Sequence, residues 1–238
     1  MKLTFRKLTA EEIDCRISTV TENGVSLLLY KDARCDMNIL DETVGPLRWE
    51  RHHELINGNL FCTVSIYDEE TGQWICKQDV GTESYTEKEK GQASDAFKRA
   101  CFNVGIGREL YTAPFMWVRA SDLKTLEPKG TGYTCHDVFR VTRIDYIGSK
   151  ICFVEIVNEK TKKTHSFGTP AAEEKEIQRV EAETISETKA TVLEKACKEA
   201  NVNIDKLLLK YGVKSFAEMT EANFVKIMGQ LEKANNGV

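Results

Sequence analysis

The chain has 238 residues, 41% hydrophobic and 29% charged, which suits one soluble domain with an appendage or two small domains. No apolar run approaches the ~18 residues needed to span a bilayer, and the N-terminal MKLTFRKLTAEEID lacks the apolar stretch of a signal peptide. A net charge of −4 excludes a protein that grips polyanions over its whole surface, so any nucleic-acid site must be a local basic strip.

The eight cysteines include no CxxC pair and no Cys/His cluster with zinc-finger spacing. Several alternate with apolar residues, where a free thiol acts as a small hydrophobe. Reduced cysteines in a cytoplasm are expected.

In chain order, residues 1–20 form a polar lead-in with a helix-like LTAEEID segment, which Thr9 caps with Glu12 as its partner. Asn23-Gly24 marks a turn, and Val25 to Tyr30 reads as a strand. Asp32 to Val44 fits a helix capped by Asp32, with Met37, Leu40 and Val44 on one face and Gly45-Pro46 as its stop. Three strands are expected next: Leu47 to Ile56, Leu60 to Tyr67 and Gln73 to Val80. Asn57-Gly58 is a two-residue hairpin signal. Leu60, Cys62, Val64 and Ile66 alternate onto a packed face, and Trp74, Cys76 and Val80 do the same on the third strand.

Thr86, with Glu89 as its capping-box partner, opens a long helix that Gly105 and Gly107 end. Ala93, Ala96, Phe97, Ala100, Cys101 and Val104 recur at three- and four-residue steps and form one apolar stripe. At 100° per residue Lys98 and Arg99 lie off that stripe with Phe102 projecting between them, and Lys88 and Asp95 share the Arg99 side. Two cations beside an outward aromatic ring suggest a base stack or a subunit contact.

Residues 112–132 read as a looser connection, with Phe115, Met116 and Trp117 packed on the core. Strands follow at Asp137 to Tyr146, Lys150 to Val157 and about Thr164 to Phe167. The expected division is a core of residues 1–170, an acidic linker 171–187 and a helical interaction module 188–238. The module's helices are Glu187–Glu199, Ile204–Tyr211 and Thr220–Lys233.

Several chemistries can be weighed on this pattern. His52 and His53 are adjacent in a strand, point to opposite faces and cannot chelate one ion together. No GxxxxGK[ST] or GxGxxG occurs, so no nucleotide cofactor is expected. Asp79, Glu83, Glu87 and Lys88 could form a Mg²⁺ nuclease centre, although acidic residues at a strand end and a helix N-terminus also suit turns and the helix dipole. An α-β-β-β-α order is that of a double-stranded RNA-binding module too, but such a module carries its basic cluster at the start of its second helix. Here that start is the mixed Glu87-Lys88-Glu89-Lys90. A purely structural oligomer, with Phe102 as a subunit contact, is a further alternative.

Residues from about 8 to 111 resemble the annealing domain of the Rad-fifty-two type recombination proteins, including their phage relatives. The likeness lies in Arg16, the YKDAR segment (Tyr30 to Arg34), the helix ending in Gly45, Trp49, Asp79-Val80-Gly81 and, most strongly, DAFKRA (Asp95 to Ala100) with glycines after it. The resemblance implies an α+β fold. Its parts are a helix-β-β-β-helix annealing core with an antiparallel sheet, extra β-hairpins and a small C-terminal helical module. It implies ATP-independent annealing of complementary single strands in homologous recombination and repair, without catalysis, cofactor or metal, by a ring or helical homo-oligomer. The setting would be the cytoplasm of a bacterial or phage-infected cell.

The same resemblance places Lys98, Arg99 and Arg16 in a groove for the DNA backbone. Phe102 stands where the family has a further basic residue, and a family lysine in the loop before the helix has no match. Lys31 and Arg34, at the start of the first helix, and Lys88 complete the candidate DNA-binding set. The C-terminal module resembles the tails through which phage annealing proteins dock partners such as a single-strand binding protein or an exonuclease.

Overall fold

The computed structural model describes residues 3–83 and 87–235, the side chains of residues 234 and 235 excepted. The chain forms two compact units that divide between Ala171 and Ala172. The expected core, linker and module therefore meet a structure whose division falls at the start of the acidic stretch.

The first unit opens with a 3-10 turn at Ala10–Glu12, where the Glu12 carboxylate accepts from the Thr9 amide at 2.9 Å. Strand β1 (Asp14–Thr21) follows, unforeseen from sequence, and turns back into β2 (Gly24–Tyr30). Pairing runs from Ile17↔Leu27 to Thr19↔Ser26, so Ser18 is an extra residue that breaks the alternation on which strand recognition relies. Helix α1 (Ala33–Val44) starts where the Asp32 carboxylate accepts from the amides of Arg34 and Cys35, at 2.8 and 3.0 Å. Strands β3 (Trp49–Ile56), β4 (Asn59–Asp68) and β5 (Gln73–Val80) make an antiparallel meander in the order β3-β4-β5. Helix α2 (Lys88–Val104) lies across β4 and β5. Thr86, the expected cap of this helix, falls outside the described residues.

The connection after α2 is more ordered than its composition suggests. A 3-10 turn at Arg108–Thr112 leads to β6 (Met116–Arg119), which pairs with β2. A small hairpin of β7 (Glu127–Lys129) and β8 (Gly132–Thr134) precedes β9 (Phe139–Ile147), β10 (Lys150–Asn158) and β11 (Thr164–Gly168). The larger sheet is antiparallel throughout, in the order β11-β10-β9-β1-β2-β6. The fold is thus mixed α and β with antiparallel sheets. The order α1-β3-β4-β5-α2 is present along the chain, set beside this six-stranded sheet.

One buried cluster joins these parts: Val25, Leu27, Met116 and Val118 from the larger sheet, Ile39 and Leu40 from α1, and Cys62 and Val64 from β4 meet Ala96, Phe97, Ala100 and Cys101 of α2. The ring of Trp49 stacks on Phe97 at 6.0 Å, and the Arg51 guanidinium lies 4.8 Å from the same ring. Two expectations about faces are corrected. The register Ile75↔Ile66, Lys77↔Val64 and Asp79↔Cys62 puts Ile75, Lys77 and Asp79 on the helix side of β5, so Trp74 and Cys76 are exposed on the far face, with Tyr67 against Trp74. On α1 the buried stripe is Cys35, Asp36, Ile39 and Leu40, one step round from the expected face.

The second unit contains α3 (Ala171–Ala182), α4 (Glu187–Glu199), α5 (Ile204–Tyr211) and α6 (Glu221–Asn235). Its core is Ile185, Leu193, Cys197, Phe216, Met219, Ile227 and Leu231. Ser186 and Asn203 cap α4 and α5, and the Thr220 hydroxyl accepts from Asn223 N at 3.3 Å at the start of α6. The acidic stretch is helical through Ala182 with no buried residue, and Thr184 bridges to Thr220. No helix among the described residues is long and apolar enough to cross a membrane. All eight cysteines are free thiols. Burial pushes Cys62 up to about 11 and Cys15 and Cys35 up to about 12.

Two outcomes follow from this packing. At Gly81, where β5 runs into α2, a Cβ would lie 2.2 Å from the Gln92 carbonyl oxygen and 2.7 Å from the Ala96 amide nitrogen, both backbone atoms. Gly81→Ala should lower stability by roughly 1–3 kcal/mol, read as a reduced denaturant midpoint with an unchanged slope. The second concerns Asp36, which is fully buried, with Oδ1 bound to the Lys31 ammonium and Oδ2 unpartnered among the described residues. Burial lifts its pKa from 3.8 to about 6, against the opposing pull of Lys31 and Lys98. Folded Asp36 holds its proton better than unfolded Asp36. Its contribution to stability is therefore full below about pH 3.8 and lost as pH rises through about 6. Melting curves of wild type and Asp36→Asn across that window should show the wild type losing stability relative to the variant as pH rises, and parallel curves would contradict this.

Candidate nucleic-acid interface

A cleft of about 930 Å³ opens where α2 faces β2 and the segment that follows α2. Arg16 of β1, Tyr30 of β2 and Lys31 line it, as do Lys98, Arg99 and Phe102 of α2 and Tyr111 and Phe115 of the later segment. Five of the seven candidate residues are thus brought to one cavity. Its lining carries four cations (Arg16, Lys31, Lys98, Arg99) against two carboxylates, Asp79 and Asp95. The overall acidic charge of the chain is locally reversed there.

Packing explains why α2 presents these cations. With Ala96, Phe97, Ala100 and Cys101 wholly buried, Arg99 is left exposed and Lys98 half-buried beside the cleft. Gly81 lets the end of β5 approach the helix, and Gln92 Nε2 donates to its carbonyl at 3.2 Å. The Thr82 amide and hydroxyl both donate to Asp95, at 3.0 and 3.1 Å. Asp79, on the helix side of β5, accepts from Arg99 Nε at 3.2 Å and from Asn103 Nδ2 at 3.2 Å. The Asp79-Val80-Gly81 turn therefore fixes the helix in register and orients one of its cations.

The four cations differ in availability. Lys98 and Arg16 form no ion pair among the described residues, although the Lys98 charge acts on Asp36, and the Arg16 guanidinium lies 5.6 Å from the Tyr30 ring centre. Arg99 is paired with Asp79, but its side chain is 47% exposed. Such a pair is worth at most about 1 kcal/mol, so a phosphate can take its place at little cost. Lys31 is 6% exposed and bound to fully buried Asp36. Its stem runs under Gly107, where a Cβ would lie 2.3 Å from Lys31 Cε and where φ is +76°. Separating a buried pair costs roughly 3–5 kcal/mol, so Lys31 supports the cleft floor and is not a free contact.

The remaining candidates lie elsewhere or act differently. Arg34 is exposed and bonds back to the Asp32 cap, with Nε 2.9 Å from Oδ2, and is not part of the cleft lining. Lys88, at the start of α2, pairs with Glu83 at 3.4 Å and is likewise outside the lining. Phe102 lines the cleft, but its ring is half-buried instead of outward. It packs edge-on to Tyr111 with centroids 4.9 Å apart, and the Arg108 guanidinium lies 5.7 Å from it. The outward aromatics are Tyr111 and Phe115, each 78% exposed. No sequence signal marks them, because they sit in a stretch with no clean periodicity, and the expected packing of Phe115 on the core is corrected by its exposure. The carboxylates weighed for a nuclease are bonded to cations instead, Asp79 to Arg99 and Glu83 to Lys88. Among the described residues no three His, Cys, Asp or Glu side chains group as metal ligands.

No family model matches the chain, and no solved structure does either. Two curated proteins are similar to part of it. One, from Deinococcus deserti, is 35% identical over 110 residues, covering 45% of this chain and 53% of its own length. The other, from Deinococcus radiodurans, is 34% identical over 100 residues, covering 41% and 47%. Both are named "Single-stranded DNA-binding protein DdrA". The chain spans about half the length of these relatives, and their names do not specify the Rad-fifty-two type.

Proposed function

We propose that the first unit binds single-stranded DNA along the Arg16–Lys98–Arg99 cleft and promotes annealing of complementary strands in recombination and repair. The reading rests on one observation: cations from β1 and α2 that are unpaired or weakly paired among the described residues line a single cleft of a protein that is acidic overall. It is supported by the partial similarity to two single-stranded DNA-binding proteins. The likeness of DAFKRA, YKDAR and Asp79-Val80-Gly81 to the Rad-fifty-two type adds annealing without ATP and assembly into a ring or helical filament. In this scheme the unit from 172 onward docks a partner such as a single-strand binding protein or an exonuclease. The double-stranded RNA and nuclease alternatives gain no support from the relatives.

The chemistry is electrostatic and topological. Cations that neutralise phosphates release the counterions condensed on the strand, which favours binding most at low salt. A strand held by its backbone leaves its bases open to a second strand, and base pairing then supplies the driving force. No general acid, nucleophile or hydrolysed nucleotide enters these steps.

In titrations of a fluorescent oligonucleotide, Lys98→Ala or Arg99→Ala should weaken binding and flatten the dependence of log K on log salt by about 0.7 per lost phosphate contact in each protomer. Equal affinity at matched salt in both variants would sink the cleft assignment. Removal of residues 172–238 should leave annealing of naked complementary strands intact, measured by the rate of fluorescence quenching on pairing. Loss of that activity by a truncated protein with native circular dichroism would make the second unit part of the annealing machinery.

A further inference from the structure

We infer that Tyr111 and Phe115 are a base-stacking platform on the rim of the basic cleft, so that it takes the faces of unpaired nucleobases as well as phosphates. The inference rests on the single-strand reading above and adds the ligand part that this reading leaves unassigned. Both rings line the same cleft as Arg16, Lys98 and Arg99, and both are largely exposed. Each is propped by a second ring: Tyr111 meets Phe102 edge-on at 4.9 Å, and Phe115 stacks on Trp117 at 6.5 Å with planes 18° apart.

The segment that carries them is braced. The Thr112 hydroxyl donates to the Glu109 carbonyl at 2.6 Å and accepts from the Ile151 amide at 2.8 Å. The Glu109 carboxylate is buried and accepts from the Leu8 amide at 2.9 Å. A braced backbone under Tyr111 and a neighbouring ring beside each aromatic limit the freedom lost on binding.

The choice of occupant follows from charge. A second protein copy covering these rings would bury Lys98 and Arg16 against a surface that must then supply carboxylates. A nucleic-acid strand supplies anions and flat π-faces together. A duplex offers the anions but keeps its base faces stacked on one another, so the pairing of cations with open rings selects single strands. Stacking engages the face of a base and leaves its pairing edge free, which suits a protein that presents one strand to another.

The test compares full-length protein binding to a 30-nucleotide oligonucleotide and to an abasic-spacer strand of equal length and charge. Wild type should prefer the strand with bases by about tenfold or more. Tyr111→Ala with Phe115→Ala, in a variant that keeps native circular dichroism, should remove most of that preference while leaving abasic-strand affinity and its salt dependence unchanged. Lys98→Ala should weaken both strands alike. Equal wild-type affinity for the two strands, or a preference that survives in the double variant, would overturn stacking and leave the electrostatic reading standing. Sedimentation showing that the double variant loses its assembly would overturn it too, by making the rings a subunit contact. Wild type that binds neither strand would overturn the single-strand reading and this inference with it.

Discussion

Everything at the cleft depends on the closeness of α2 to the β3-β4-β5 meander. Ala96, Ala100 and Cys101 are small enough to bring the helix down onto Cys62 and Val64, and Phe97 fills the space toward Trp49. A helix seated on four wholly buried positions cannot rotate without exposing them or driving a cation into the core. Each such exposure forfeits roughly 1.5–3 kcal/mol for a large apolar side chain. The rotation of α2, and with it the direction of Lys98 and Arg99, is thereby set mainly by hydrophobic packing, with the weak Arg99–Asp79 pair as a secondary guide. The cations add little to the fold, which leaves them free for a ligand.

Electrostatics then sorts the basic residues by role. The cleft holds two ion pairs that differ in burial. Arg99–Asp79 is solvated and weak, so it orients a guanidinium without committing it. Lys31–Asp36 is buried, so it is committed to the structure. Burial separates a group that can trade its partner for phosphate from one that cannot. The aromatic rim completes the chemistry, because cations alone do not distinguish one strand from two.

Much of the architecture was legible in the sequence, and the gaps have physical causes. Alternation on Leu60, Cys62, Val64 and Ile66 gave β4 with its correct face, and the small-residue stripe gave α2. The exposure of Arg99 followed from the helical period, whereas Lys98 is half-buried. Strand β1 was missed because its extra residue at Ser18 breaks the period of two, and β6 because four residues are too few to show one. On β5 the spacing of Trp74, Cys76 and Val80 is regular but marks the solvent face. Only the pairing with β4 reveals that Asp79 lies on the helix side of the strand. At the site, Phe102 looked outward because no local pattern announces that Tyr111, nine residues on, folds back against it. The burial of Asp36 is equally silent, since an aspartate in the first turn of a helix is ordinarily a solvated partner of the dipole.

The most direct measurement of the central claim is lysine footprinting by limited acetylation, with and without a saturating unlabelled oligonucleotide. Protection of Lys98, with no change at Lys206 and Lys210 of the second unit, is the result this account requires. Unaltered reactivity of Lys98 in a protein shown to be saturated with single-stranded DNA would contradict it.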